Sequence, residues 1–345
     1  INLSMDKEDM NNSFLRYRLE NYKFELPKNL IRQEPPKERT SGRLMKIFGD
    51  EIEHLKIMDI LNILTKDDVI IFNKTRVRKA KVFGNKITGG KLEITVLGKG
   101  DEGFVCFIKG KVRDGERILI GEREVKVGSS NDGKRVLIGN LDWNYIESIG
   151  HLPLPPYIKK KEDFEYYQNE IGEVSGSIAA PTASLHFSNE LLKKMENKGI
   201  IIKYILLTVG YGTFKSITHE DIRYHIVDEE DILVDNTVVE SIENAKGKVV
   251  AVGTTVMRAL ETAAYPGRLK PYSGETGIYI YPGFKFNSEV THLFTNFHIP
   301  ESSLLSLVYA FGCEQRLKRA YKEAIEKGYY FYSLGDSMIM DRKYC

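Results

Sequence analysis

An α/β main domain with an inserted small antiparallel β-barrel is the architecture this sequence predicts, and three observations point to it. The chain has 345 residues, about twice the usual domain length. Short alternating segments separated by Gly and Asp turns fill the stretch 76–150. A buried-type strand comes before that stretch, and strands alternating with helices come after it, as expected when helices pack on a sheet. The α/β domain is therefore expected over 13–75 and 151–345, discontinuous, with the barrel at 76–150 and residues 1–12 as a flexible leader.

The elements follow in order. Val69-Ile70-Ile71-Phe72 is continuously apolar, the mark of a buried strand. The barrel strands are expected at 92–97, 104–108, 117–120, 124–127 and 135–138, with turns at Gly89-Gly90, Asp114-Gly115 and Asp132-Gly133. The Pro-rich run Leu152 to Ile158 must be extended and reads as a strap rejoining the two domains. Ser188 is placed to cap a helix over 189–198 that Gly199 ends, and a strand over 200–207 follows. A helix over 237–245, a strand over 248–252 and a helix opening at Gly253-Thr254-Thr255 and running to about Ala264 complete the pattern.

Composition excludes several classes. With 42% hydrophobic and 28% charged residues the chain is ordinarily globular, and no apolar run approaches the roughly 18 residues of a membrane span. The first residues lack the apolar core of a secretory signal, so a cytoplasmic location is expected. Cys106, Cys313 and Cys345 are odd in number and widely spaced, so neither a disulfide framework nor a zinc site is expected. The seven histidines form no HxxxH or HxH pair, and no metal site is expected. A net charge of +2 neither demands nor excludes a nucleic-acid partner, since such partners read local patches. Arg76, Arg78, Lys79 and Lys81 form one basic cluster and Lys159, Lys160 and Lys161 another. A third, Arg316, Lys318, Arg319 and Lys322, reads as the solvated face of a helix.

The stretch Gly176 to Ser188, Gly-Ser-Ile-Ala-Ala-Pro-Thr-Ala-Ser-Leu-His-Phe-Ser, is unlike ordinary core or loop sequence. Ala179, Ala180 and Ala183 let a ligand approach the backbone, Pro181 stiffens the path, and Thr182 and His186 add polar groups. Thr295 to Pro300 has the same character, with Asn296 suited to a base edge or a substrate hydroxyl. His186 and His298 are the candidate general bases, because imidazole exchanges protons near neutral pH. The strand-to-helix turn at Thr254 and Thr255 aims backbone N–H groups at one point, suited to a carboxylate or phosphate. Arg258 adds a guanidinium one turn on, and Glu261, three residues later, pairs with it on the helix surface. Asp336 either forms a turn with Gly335 or binds substrate. Tyr157 and the lysines after it, with Arg76, are candidates for RNA contact. The turn at Gly253 is neither a GxxxxGK[ST] nor a GxGxxG fingerprint, and GxSxG is absent.

Taken in series these segments resemble the S-adenosylmethionine:tRNA ribosyltransferase-isomerases of queuosine biosynthesis. The match begins at Phe24-Glu25-Leu26-Pro27 and continues through Asn73 to Val77, Thr88-Gly89-Gly90, Pro153 to Ile158 and Tyr167-Gln168. It peaks at Gly176 to Ser188 and goes on through Val209 to Phe214, Ala251 to Glu261, Thr295 to Pro300 and Gly335-Asp336. The resemblance implies the same inserted-barrel architecture and an enzyme that moves and isomerises the ribose of S-adenosylmethionine onto a 7-aminomethyl-7-deazaguanine at the wobble position of a tRNA with a GUN-type anticodon. Epoxyqueuosine in tRNA forms, and adenine and methionine leave. S-Adenosylmethionine is consumed as a substrate, so no cofactor is expected, and a monomer is expected. Against this background His186 is the expected base, His298 and Asn296 orient ribose or deazaguanine, and Thr254, Thr255 and Arg258 hold the methionine carboxylate, with Thr182 and Asp336 also binding substrate.

The sequence departs from the family pattern in places. His225 to Glu230 keeps only the first His and the last Glu of the family's His-x-Met-His-x-Glu, Lys79-Ala80-Lys81 replaces Pro-Ala-Arg, and Ser184 stands where the family has Gly. Two other readings remain open at this level: a non-catalytic RNA-binding protein, and another S-adenosylmethionine-using enzyme acting on a different modified base or as a methyltransferase.

Overall fold

The structure is a computed structural model that describes residues 15–129, 133–159 and 165–345. The leader 1–12, Lys160 and Lys161 lie outside the described residues. Among the described residues, seventeen strands fall into three sheets. The chain enters through β1 (Arg43–Phe48) and β2 (Glu51–Lys56), a short helix α1 (Ile60–Ile63), β3 (Val69–Asn73) and β4 (Thr75–Val77). β5 (Lys81–Lys86), β6 (Lys91–Lys99), β7 (Phe104–Lys109), β8 (Arg117–Ile120), β9 (Arg123–Ser129) and β10 (Arg135–Gly139) close into an antiparallel barrel in the order β10-β7-β6-β5-β8-β9. The expected inserted barrel is thus present, with β5 as a strand the sequence reading lacked. In β5 the outward Phe83 is apolar and the inward Gly84 has no side chain, which hides its alternation. The barrel interior is apolar, with Val82, Ile94, Cys106, Ile118 and Val127 all buried.

Helix α2 (Trp143–Ile149), capped by Asp142, packs on the barrel end, where the Trp143 ring meets Phe104 edge-on and the Arg78 guanidinium lies 4.4 Å above it. The strap then returns: Lys81 and His151 exchange backbone hydrogen bonds of 3.1 and 2.8 Å. β11 (Val174–Ser177) pairs in parallel with β4, so the entry to the barrel and the start of the small-residue segment lie side by side.

The main sheet has nine strands. β12 (Ile201–Leu207), β3, β14 (Val249–Val252) and β16 (His292–Asn296) run parallel in that order. β17 (Ser337–Asp341) is antiparallel to β16 and parallel to β1, and β2 closes that edge. On the other side β13 (Glu230–Val234) and β15 (Tyr272–Thr276) add antiparallel strands. β3 and β14 are buried at every position, as central parallel strands covered on both faces must be.

The helices are set by their caps. Ser188 Oγ accepts from Leu191 N at the start of α3 (Asn189–Asn197), and Gly199 at φ +84° turns the chain out of it. Asp235 caps α4 (Asn236–Glu243), and Ser302 caps α6 (Ser303–Gly312). α5 (Thr254–Ala263) follows β14, and α7 (Glu314–Glu326) follows α6.

Three expectations are corrected here. Cys313 and Cys345 form a disulfide with Cα atoms 5.0 Å apart; the fold brings together two residues 32 apart in sequence, which spacing alone did not reveal. Arg316 is no solvated residue: it is buried and donates to the carbonyls of Gly312, Gly49 and Asp341 and to the Asp341 carboxylate. Glu261 neither pairs with Arg258 nor faces solvent; it is buried and accepts from the backbone N–H groups of Asn287 and Ser288 and from the Ser288 hydroxyl.

Candidate active site

At the carboxyl ends of β14 and β16, where α/β sheets characteristically hold ligands, a cavity of about 380 Å³ opens. That volume lies in the roughly 300–1,000 Å³ range of small-molecule sites. Its composition follows from the elements that end there. β14 stops at Val252, Gly253 turns at φ +93°, and α5 starts with Thr254 and Thr255 on the cavity wall. A Cβ on Gly253 would meet the Ala183 methyl at 3.4 Å in a backbone region that side chains avoid, so the turn requires glycine. Opposite lies the small-residue segment: Ile178 N donates to Val209 O, and Ala179, Ala180, Pro181, Thr182 and Ala183 line the floor. β16 contributes Thr295 and Asn296, with Phe297 and His298 just beyond.

One end of the cavity is electropositive. The first N–H groups of α5 have no intrahelical acceptor and carry the positive end of the helix dipole. The buried Thr255 hydroxyl beside them has no partner in the structure. This end offers donors and no carboxylate, which suits an anionic group.

The two histidines occupy different shells. His298 lines the cavity, its Nε2 3.0 Å from Thr295 Oγ1, and desolvation pushes its pKa down to about 3. His186 is fully buried behind Asn296, and burial pushes its pKa down to about 4, opposed mainly by the negative charge of Asp336. Asn296 Nδ2 donates to the carbonyls of Tyr332 and Ser333, so its Oδ1 is left to accept from His186 Nε2 at 3.1 Å and from Ser337 Oγ at 3.2 Å. That assignment makes Nε2 the protonated nitrogen of His186 and puts the lone pair on Nδ1, which has no partner. Nδ1 faces Gly42, on which a Cβ would sit 3.5 Å away. His186 therefore presents no free lone pair to the cavity, and Asn296 has its amide committed to protein groups.

Two expected substrate ligands are engaged elsewhere. Arg258 forms a buried ion pair with Glu230 and donates to Ile278 O at 3.2 Å, lining a smaller adjoining pocket that shares only Thr213 and Leu304 with the cavity. Glu230 also accepts from Gly210 N at 2.8 Å, so the pair fixes the Val209 to Thr213 wall. Asp336 accepts from the backbone N–H groups of Arg43 and Tyr330 and pairs with the Arg43 guanidinium, the turn alternative of its two readings. Its carboxylate organises the segment that holds Asn296.

Of the RNA candidates, Tyr157 lines the cavity and stacks at 4.1 Å on Tyr332, a residue no sequence signal had marked. Lys159 lines a groove of about 450 Å³ between the strap and the barrel, together with Phe83, Phe107 and Lys109, and this groove meets the cavity at Pro156. Arg76 is exposed on β4 and lines neither. The departures from the family pattern are absorbed outside the cavity. The Ser184 hydroxyl is buried and donates to Pro181 O at 2.6 Å, and Asp228 pairs with Lys215 at 2.8 Å. Among the described residues no group of three His, Cys, Asp or Glu side chains could hold a metal, and no helix is long and apolar enough to cross a membrane.

Fold and cavity together define an α/β protein with an inserted barrel and a cavity of small-molecule size that ends on the N–H groups of α5. The chain belongs to the family described as queuosine biosynthesis protein, whose family model matches residues 19–340. It is 42% identical over 347 residues to the S-adenosylmethionine:tRNA ribosyltransferase-isomerase of Aquifex aeolicus, covering 94% of this chain and 99% of that one. It is 39% identical over 338 residues to the protein of that name from Francisella philomiragia, with the same coverage. The crystal structure of S-adenosylmethionine tRNA ribosyltransferase from Thermotoga maritima superposes with a TM-score of 0.54 at 30% identity, over 93% of this chain and 99% of that one.

Proposed function

We propose that this chain transfers and isomerises the ribosyl group of S-adenosylmethionine onto the aminomethyl group of a 7-deazaguanine at the wobble position of a GUN-anticodon tRNA. The products are epoxyqueuosine in tRNA, adenine and methionine. What carries the reading is the cavity that this family member builds: an alanine floor facing the open N-terminus of α5, with one imidazole on its wall. In it the methionine carboxylate lies against the α5 N–H groups with Thr254 and Thr255, and the ribose lies over Ala180 and Ala183 with Thr182 at its edge.

The sulfonium acidifies the hydrogens on the adjacent 5′ carbon, so the chemistry starts from a proton transfer and calls for no metal. His298 is the base in this reading, since its imidazole lines the cavity and burial keeps it neutral. His186 acts through Asn296 as a positioning residue. Proton removal starts expulsion of adenine, to which His298 passes the proton; the amine then attacks and gives up a proton to water, and methionine departs as the neutral thioether. The protein works as a cytoplasmic monomer in this reading, with S-adenosylmethionine as substrate.

Incubation with S-adenosylmethionine and tRNA carrying the aminomethyl-deazaguanine tests this. Free adenine with methionine supports it, S-adenosylhomocysteine indicates a methyltransferase instead, and neither product leaves an RNA-binding protein. Near wild-type adenine release by His298→Ala would remove His298 as the base.

A further inference from the structure

Tyr332 adopts φ +71°, a left-handed conformation that a bulky side chain avoids and that structures retain where surrounding contacts enforce it. Those contacts are visible. Tyr332 N donates to Phe297 O at 3.0 Å, and its carbonyl accepts from Asn296 Nδ2 at 3.0 Å. The ring that this turn projects lies on the cavity wall against Tyr157, with centroids 4.1 Å apart and planes inclined by 49°. Tyr157 is fixed in turn: its hydroxyl accepts from Ser333 N and shares a short hydrogen bond with Ser333 Oγ. Two rigid rings from segments 175 residues apart are thus locked together beside a cavity they do not fill.

Their place in the cavity indicates what they meet. The cavity meets the Arg258 pocket through Thr213 and Leu304, and the barrel groove through Pro156, the neighbour of Tyr157. The rings therefore stand at the groove end. That groove presents Phe83 and Phe107 with Lys109 and Lys159, a combination suited to single-stranded nucleic acid. We propose that Tyr157 and Tyr332 form a stacking wall for the deazapurine ring of the RNA substrate, extruded from its loop into the cavity, while the α5 end holds the donor. This inference rests on the reaction proposed above and adds the site at which its second substrate is held.

Tyr332→Gly is the discriminating variant, because glycine takes this backbone conformation freely and the carbonyl that holds Asn296 stays in place. The expected result is a fall in kcat/KM for the modified tRNA of about 5- to 150-fold, the loss implied by one base–aromatic stack, seen mainly in KM. The dissociation constant for S-adenosylmethionine should stay within about twofold, and Tyr332→Phe should restore wild-type values by supplying the ring. Equal loss of S-adenosylmethionine affinity would overturn the proposal by assigning the wall to adenine, as would an unchanged kcat/KM. Should Tyr332→Gly not fold, Tyr332→Asn, which also tolerates this conformation, is read in the same way. Calorimetric binding of free 7-aminomethyl-7-deazaguanine, lost in Tyr332→Gly and kept in Tyr332→Phe, tests the wall without turnover. Wild-type protein that releases no adenine fails the reaction itself; wild-type release matched by Tyr332→Gly fails only the wall.

Discussion

Removing Glu230 tests how the cavity wall is held. The Glu230 and Arg258 side chains are 4% and 11% exposed, so water screens their charges little. One carboxylate oxygen takes Arg258 Nη1 and the other takes Gly210 N, while Arg258 Nη2 is already buried without a partner. Glu230→Ala leaves a guanidinium in the interior with only the Ile278 carbonyl for company. Breaking such a pair costs about 3–5 kcal/mol. At about 2.1 cal/mol/K of unfolding entropy per residue, a 345-residue chain shifts by about 1.4 °C per kcal/mol, so the midpoint should fall by roughly 4–7 °C in thermal unfolding followed by circular dichroism. Glu230→Leu combined with Arg258→Met should recover the whole of that loss, about 3–5 kcal/mol relative to Glu230→Ala, because no charge is then left buried. S-Adenosylmethionine binding should weaken in Glu230→Ala, since Val209 and Thr213 lose their anchor. A midpoint within about 1.5 °C of wild type, about 1 kcal/mol or less, would refute the claim that this pair is a desolvated brace.

Other outcomes follow from the same geometry. His186, His292 and His298 have pKa values depressed by burial to about 4, about 4 and about 3, so unfolding below pH 6.5 takes up protons that the native state refuses. Stability is therefore full above pH 6.5 and falls on acidification by up to about 1.4 kcal/mol per pH unit for each histidine; denaturant titrations between pH 7 and 5 should show that slope, reduced in His186→Asn. Ser184→Ala should cost about 0.5–1.5 kcal/mol by removing one bond each from the Asn169 amide, which keeps Asn73 O, and the Pro181 carbonyl, which keeps Ser184 N, yet leave S-adenosylmethionine affinity unchanged, because Ser184 does not line the cavity. Reducing Cys313–Cys345, or Cys345→Ser, frees a loop spanning 32 residues and should lower stability by roughly 3–4 kcal/mol, measured by unfolding with and without dithiothreitol.

The sequence made legible those features whose cause is local. Alternation between Gly and Asp turns marked five of the six barrel strands, and continuous apolar runs marked β3 and β14. Side-chain caps at Ser188 and the turn at Gly253 placed α3 and α5 within a residue or two. The alanine-rich floor was visible because small residues in such density have no core role. The edge strands escaped notice: β2 exposes charges at most positions and β15 is Tyr-Ser-Gly-Glu-Thr, so neither carries an apolar face to read. Partners distant in sequence were equally hidden. Arg258 is one helical turn from the cavity in sequence, but Glu230 from a neighbouring strand claims it. Asn296 looked free for substrate until the turn at Tyr332 supplied its acceptors. Tyr332 had no signature, because its importance lies in a backbone torsion and a ring partner 175 residues away.

The position of β17 sets the order in which the molecule can be completed during synthesis. Every pairing of the barrel lies within residues 81–139, so that unit can close soon after it emerges. The hairpin β1–β2, by contrast, joins the main sheet only through β17, nearly three hundred residues later. Until 337–341 have been made, an early hairpin waits with an unsatisfied edge, Asn296 lacks its contact with Ser337, and Arg43 lacks Asp336. Nascent chains halted before that point should therefore carry a finished barrel beside an incompletely braced cavity, and a product truncated there is expected to lose activity.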